Sequence, residues 1–220
     1  MELSPAEEKY VKAIFKISER DHKLVQTNGL AAYLDVAPAS ITDMLKKLAD
    51  KGLVQYQAYK GVQLSPLGIR EATKLIRKHR LWEYFLADRL RFPWHLVHDL
   101  AEQLEHIKSD ELIQRLDAFL DYPKFDPHGD PIPNPDGKFT LRNQFPLADG
   151  GVGETFQVVA VRDQSNAFLA YLSQLRIKIG SKIIIRQHNL FEQTLIAQID
   201  KGEPVTLTSR TTTNVMIKKI

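Results

Sequence analysis

VAPASITDMLKKLADKGLV, residues 36–54, has the pattern of a helix entered from a tight turn and left at a glycine. Ile41, Leu45 and Leu48 recur at helical intervals, Pro38 suits a first helical turn, and Gly52 suits a stop. Upstream, Leu3, Tyr10, Ile14 and Ile17 space an amphipathic helix over about Pro5 to Glu19. Gln26 to Tyr33 reads as a short second helix, so Asp35-Val36-Ala37-Pro38 is the turn of a helix-turn-helix. Downstream, Leu53–Gln57 and Gly61–Leu64 form two short apolar-alternating arms around Tyr59-Lys60-Gly61, the mark of a β-hairpin. Helix pair and hairpin together predict a winged helix-turn-helix domain over residues 1–64.

A helix braced by a partner is about the width that the major groove of B-DNA admits. With Ile41, Leu45 and Leu48 buried, the opposite side presents Pro38, Ala39, Ser40, Thr42, Asp43, Lys46 and Lys47, and Lys60 stands at the tip of the wing. Small residues allow close approach to thymine methyls, the hydroxyls can donate to phosphates, and the lysines supply charge attraction. Asp43 can only accept, most simply from a cytosine amino group. The same residues also suit a solvated helix face in an unrelated α-rich domain; the wing favours double-stranded DNA.

The chain has 220 residues and no cysteine, which excludes disulfides, thiolate metal sites and a cysteine nucleophile. Charged residues among the apolar positions of the first 30 leave no signal-peptide core, and no stretch approaches the length of a membrane span. A soluble, cytoplasmic protein is expected. The net charge of +3 is unevenly spread: residues 1–80 carry +5, residues 81–149 carry −6 and residues 150–220 carry +4. A basic front and an acidic middle suggest an anionic partner for one and cations for the other.

Ser65-Pro66 starts a long helix running to about Arg89, and Trp94–His106 and Ser109–Leu120 read as two more. A Pro- and Gly-rich stretch from Tyr122 to about Gly150 is the natural linker. Beyond it, Thr155–Val161, Lys182–Gln187, Thr194–Ile199 and Val215–Ile220 alternate as strands with one helix near Ala167–Leu175. The expected fold is therefore mainly α with a small β-barrel, in segments 1–64, 65–140 and 151–220.

The acidic zone carries the sharper chemical signal. His98, Glu102, Glu105 and His106 fall at i, i+4, i+7 and i+8, which puts all four on one face of one helix. His79 and Glu83 repeat the i, i+4 spacing on the preceding helix. Imidazole and carboxylate donors without sulfur suit manganese, ferrous iron, zinc or nickel, with a lean towards the harder ions. Solvated or Lys- and Arg-paired side chains are the alternative for any one of them. No His-Glu-x-x-His occurs, so a zinc-protease base is missing. His22, His95, His128 and His188 have no partners at ligand spacing. Trp82, Tyr84, Phe85, Trp94 and Leu116 suit a core or a dimer contact, and Pro127, Gly129, Pro131 and Pro133 suit a rigid turn.

The runs EEKYVKAIF (7–15), residues 36–54 quoted above, RKHRLWE (77–83), VHDLAEQLEHIKSDEL (97–112) and DPHGDPIP (126–133) resemble landmarks of the DtxR/MntR family of metal-dependent transcriptional repressors. FLAYLSQLRIKIGSKIII (168–185) is similar to the SH3-like, FeoA-type domain of its longer members. The resemblance implies a homodimer, a helical metal-binding and dimerisation domain, and a divalent metal as co-repressor on a palindromic operator. By position, His79, Glu83 and His98 match the ancillary metal site, and Glu102, Glu105 and His106 the primary one. Iron-type members have cysteine where Glu102 stands, so the resemblance leans to Mn2+, with Fe2+ as the alternative. Asp163 or Gln164 stands where the β domain adds a ligand, and Ala167 where some members have glutamine. The departure is on the first helix: Lys9 stands where a methionine or aspartate ligand is expected, and Lys12 where some manganese sensors have a second carboxylate. A protonated lysine cannot ligate a cation. Either Glu8 or water completes that site, or Lys9 takes part of it electrostatically.

The mechanism this implies is linkage: metal relieves repulsion among the acidic ligands, fixes the reading head and favours the half-site spacing of the operator. Two other functions compete, a metallohydrolase with an accessory β domain and a winged-helix regulator whose carboxylates are structural.

Overall fold

The computed structural model of the chain describes residues 2–21, 24–57 and 60–220. They form two compact units, one of Met1–His79, Glu105–Lys108 and Pro133–Lys138, the other of Arg80–Leu104, Ser109–Ile132 and Phe139–Ile220. Among the described residues no helix is long and apolar enough to cross a membrane.

In the first unit, helix α1 (Pro5–Asp21) opens on a reciprocal cap. The Ser4 N–H donates to Glu7 Oε2 at 2.8 Å, and the Glu7 N–H donates to Ser4 Oγ at 3.3 Å, so two amides that the helix cannot satisfy find partners. Helix α2 (Thr27–Leu34) ends at Asp35, whose left-handed backbone (φ 54°) turns the chain towards α3 (Pro38–Asp50). Ile41, Leu45 and Leu48 of α3 are fully buried. Strands β1 (Val54–Gln57) and β2 (Gly61–Leu64) pair antiparallel, Val54 against Leu64 and Gln57 against Gly61, and Val25 bridges Val62 to widen the wing. Tyr59 of the expected turn lies outside the described residues, as does His22. Ser65 caps α4 (Pro66–Tyr84) by accepting the Gly68 N–H at 3.0 Å. A Cβ on Gly68 would lie 2.0 Å from the Leu53 carbonyl oxygen, so only glycine lets α4 begin this close to the wing.

In the second unit, a single π turn (Phe85–Arg89) follows the end of α4. Helices α5 (Val97–Leu104) and α6 (Asp110–Phe119) pack around Leu81, Trp82, Leu86, Val97, Ala101 and Ile113. Strand β3 (Phe145–Pro146) precedes β4 (Thr155–Val161), helix α7 (Asn166–Gln174), β5 (Lys182–Asn189), β6 (Thr194–Ile199), β7 (Pro204–Leu207), helix α8 (Ser209–Asn214) and β8 (Val215–Lys219). All pairings are antiparallel, in the spatial order β3-β8-β4-β5-β6-β7. The expected β-barrel is thus corrected to an open sheet, because β3 and β7 each pair on one side only. Register shifts at Val158/Ala160 and Ile185/Gln187 bend it around Phe156, Val158, Leu169, Leu172, Ile183 and Ile185 without closing it.

Three further expectations change. Helix α5 begins at Val97 rather than Trp94, and the Trp94 ring packs against the core of the sheet with its Nε1–H donating to Ser173 Oγ at 2.8 Å. Glu105 and His106 lie in a turn beyond the end of α5, so the four ligand-type residues do not share one helix face. The stretch after Tyr122 is irregular, but it is not a linker where DPHGDPIP runs: Asp126, His128 and Ile132 are buried. Asp126 Oδ1 accepts the N–H groups of His128 (2.8 Å) and Asp130 (3.0 Å), an Asx-type turn drawn tight by its own side chain. Gly129 has φ +89°, and a Cβ there would lie 2.1 Å from the Val159 carbonyl oxygen. Gly129→Ala combines strain with a backbone clash and is expected to cost about 2 kcal/mol or more, read as a fall in denaturation midpoint against the parent chain.

Candidate metal centre and nucleic-acid interface

Helix α3 separates its two faces cleanly. Pro38, Ala39, Ser40, Asp43, Lys46 and Lys47 are exposed and Thr42 is half-buried, opposite the buried Ile41, Leu45 and Leu48. Lys60 is exposed on the wing, its carbonyl accepting from Gln26 Nε2 at 2.9 Å. Lys46 sits 4.0 Å from Asp43, an exposed pair of little energetic weight. Lys47 is tethered differently: its Nζ lies 3.4 Å from Glu7 Oε1, which also meets Lys51 Nζ at 2.7 Å. Burial pushes the Glu7 carboxyl up, but Lys51, the Ser4 N–H and Lys47 together bring it down to about 2. The cap of α1 therefore doubles as an electrostatic anchor for α3.

Two of the residues matched to the primary site, Glu105 and His106, join α1. Lys12 Nζ donates to Glu105 Oε1 at 2.5 Å with both side chains buried, and His79 Nδ1 meets Glu105 Oε2 at 2.6 Å. Burial raises the Glu105 carboxyl, and the hydrogen bond and charge of His79 with those of Lys12 outweigh it and hold it below the ordinary carboxylate value. His106 Nδ1 meets Glu8 Oε2 at 2.6 Å. The lysine involved is Lys12, not Lys9, which is exposed. Glu105 leaves α5 because a carboxylate this buried needs charged partners, and these are on α1 and α4. Glu102 stays on α5, half-buried, one turn after His98.

The second unit builds a different cluster. Glu83 is buried on the last turn of α4, and its Oε1 meets His98 Nδ1 at 3.1 Å. Glu83, Asp126 and His128 each offer a ligand atom within 4.8 Å of the others, and all three are buried. His128 stacks on Trp94, with ring centroids 6.0 Å apart, and its Nε2 lies 2.8 Å from the Trp94 carbonyl oxygen. A carbonyl only accepts, so Nε2 carries the proton and, in the neutral ring, Nδ1 carries the lone pair. That Nδ1 is buried, has no hydrogen-bond partner among the described residues and lies 4.0 Å from Glu83 Oε2. An imidazole whose far N–H is held by a carbonyl and whose near nitrogen faces carboxylates is arranged as a metal ligand. Burial, then Asp130 and Glu83, push Asp126 up to about 7, against His128 and Arg80. Arg80 supports the surround, its Nη2 3.0 Å from Asp130 Oδ2 and its Nε 3.6 Å from Asp126 Oδ2. These donors, two carboxylates and an orphaned buried imidazole nitrogen, fit a divalent cation.

Gln164 Nε2 donates to the same Asp130 Oδ2 at 3.1 Å, whereas Asp163 accepts from the Ser165 N–H at 2.9 Å and meets Arg210 at 3.3 Å. Asp126 and His128 escape a search built on helical spacing because they sit two residues apart in a turn. The usable signal was the turn itself, an Asp-x-His-Gly whose aspartate can bond its own backbone.

Three family models cover most of the chain: iron dependent repressor, N-terminal DNA binding domain, over residues 2–62; iron dependent repressor, metal binding and dimerisation domain, over 65–134; and FeoA domain, over 145–219. The chain is 34% identical over 119 residues to an uncharacterized HTH-type transcriptional regulator of Methanocaldococcus jannaschii, covering 54% of this chain and 95% of that protein. It is 28% identical over 203 residues to the diphtheria toxin repressor of Corynebacterium diphtheriae, covering 92% and 84%. A solved manganese-dependent transcriptional repressor in complex with manganese superposes with a TM-score of 0.86 at 32% identity, covering 97% of this chain and 100% of that one. The manganese regulator SloR superposes with a TM-score of 0.76 at 31% identity, covering 99% and 100%.

The depressed Glu7 carboxyl stabilises the fold fully above the unfolded value near 4.5, and this contribution is lost as pH falls towards 2. Because Lys47 is largely exposed, about 1–2 kcal/mol is the appropriate scale. Glu7→Gln is expected to lower stability by that amount at pH 7, with the gap to the parent narrowing between pH 4.5 and 2 in denaturant titrations.

Proposed function

As the chain belongs to the iron-dependent repressor family, whose members are metal-dependent transcriptional repressors, we propose that it is a manganese-responsive DNA-binding repressor with ferrous iron as the alternative ion. Residues 1–64 are the reading head, residues 65–140 hold the metal and the dimer contact, and residues 151–220 are the SH3-like accessory domain. The observation that carries this reading is the orphaned Nδ1 of His128, buried and facing Glu83 beside Asp126. Glu83, Asp126 and His128 would hold the cation, with His98 on the other oxygen of Glu83. A bound divalent ion would supply positive charge to these buried carboxylates. Oxygen and nitrogen donors without sulfur favour manganese or ferrous iron over softer ions.

Each residue of the centre has a second task. Trp94 sets the imidazole tautomer through its carbonyl, and Asp126 shapes its own turn while presenting its carboxylate. Glu83 occupies the last turn of α4, and Gly68 in the first turn of the same helix lies against Leu53 and Leu64 beside the wing. A homodimer presents two α3 helices to a palindromic duplex, with Ala39, Ser40, Thr42 and Asp43 towards the bases and Lys46, Lys47 and Lys60 towards phosphates.

The test uses a duplex selected from a random pool in the presence of manganese. Fluorescence anisotropy is expected to show binding weakened about 10- to 100-fold by a chelator, within the usual range of allosteric coupling. His128→Ala is expected to bind equally weakly with or without manganese. Equal affinity of the parent chain in chelator and in saturating manganese overturns the proposal. Affinity is also expected to fall steeply with salt, and Lys46→Ala to reduce that slope by about one.

A further inference from the structure

The side-chain cluster that joins α1 to the turn after α5 does not fit a metal ion. Its carboxylate is Glu105, 2% exposed; one oxygen accepts from Lys12 Nζ at 2.5 Å and the other faces His79 Nδ1 at 2.6 Å. Lys12 is itself only 8% exposed. An ammonium has three donors and no lone pair, so it cannot enter a coordination sphere. It repels any divalent ion brought to the oxygen it already bonds. The neighbouring imidazole, His106, is committed through Nδ1 to Glu8 at 2.6 Å. Each acid of this cluster thus has an internal partner, in contrast to the cluster at Glu83, where a buried imidazole nitrogen has none among the described residues.

We infer that Lys12 is a built-in cation that replaces a metal at Glu105, so that α1 is fastened to the 105–108 turn by the chain itself. The consequence reaches the reading helix. Three residues of α1 divide the work: Lys12 and Glu8 hold Glu105 and His106, and Glu7, next to Glu8 in the chain, holds Lys47 of α3 and Lys51 just beyond its end. The connection from the turn to the DNA-reading helix is then complete without an ion, and metal sensing is left to the Glu83 cluster alone. This deepens the proposed function and rests on it for the second site.

The experiment is manganese anomalous scattering on crystals of the full chain, with bound manganese per protomer counted by equilibrium dialysis. The parent protein is expected to show one ion per protomer, beside Glu83 and His128, and no density at Glu105. Lys12→Glu removes the ammonium and adds a ligand, and is expected to raise the count to two, with the new ion at Glu105. An ion at Glu105 in the parent overturns the inference, and so does a folded Lys12→Glu chain that gains none. If Lys12→Glu does not fold, the parent's anomalous map still decides. Absence of manganese at Glu83 in the parent, with the gain at Glu105 in the variant, refutes the proposed sensing site while upholding the role of Lys12.

Discussion

Buried acids govern this molecule. Glu7, Glu83, Glu105 and Asp126 are withdrawn from water, and a carboxylate in such surroundings has to be neutralised, paired or given hydrogen bonds. The chain meets the demand in three ways. Glu7 takes two lysines and the amide of its own helix cap, Glu105 takes a lysine and a histidine, and Asp126 takes two backbone amides with Arg80 close by. Beside Glu83 the arrangement differs: His98 meets one oxygen at 3.1 Å, while His128 stands 4.0 Å from the other with an Nδ1 that has no hydrogen-bond partner among the described residues.

That difference separates a structural pair from the proposed binding centre. The Lys12–Glu105 contact holds its elements at the expense of any exchangeable ion, since the ammonium and the ion compete for the same oxygen. The Glu83 cluster has its second-layer hydrogen bonds in place and a donor atom to spare. One metal-binding family model spans both regions, and the side-chain chemistry tells them apart.

Much of the architecture was legible because it follows from local rules. Ile41, Leu45 and Leu48 at helical spacing, Ser65-Pro66 as a helix start and the alternation of Thr194–Ile199 each became the element expected of them. The boundaries that failed did so where packing overrode pattern. Trp94 continues an apolar helical repeat, yet its ring packs against the sheet instead. Strand β7 opens with Pro204 and lies at an edge, where proline is tolerated but propensity is silent. The open sheet could not be told from a barrel, because closure depends on whether β3 and β7 meet, and strand alternation is the same in both cases.

The candidate site divides along the same line. The sequence by itself determined the donors, meaning which carboxylates and imidazoles exist, the absence of sulfur, and the helix spacing that put Glu83 one turn from His79. It also determined the exposed small and basic face of α3, since burying three residues of an amphipathic helix decides what the other side shows. Only the tertiary structure decided which donors meet. Asp126 and His128 reach Glu83 because a glycine-lined turn packs onto β4, and Lys12 reaches Glu105 across 93 positions of chain. Partners that distant are chosen by how the elements fold onto one another, and no spacing along the chain encodes that.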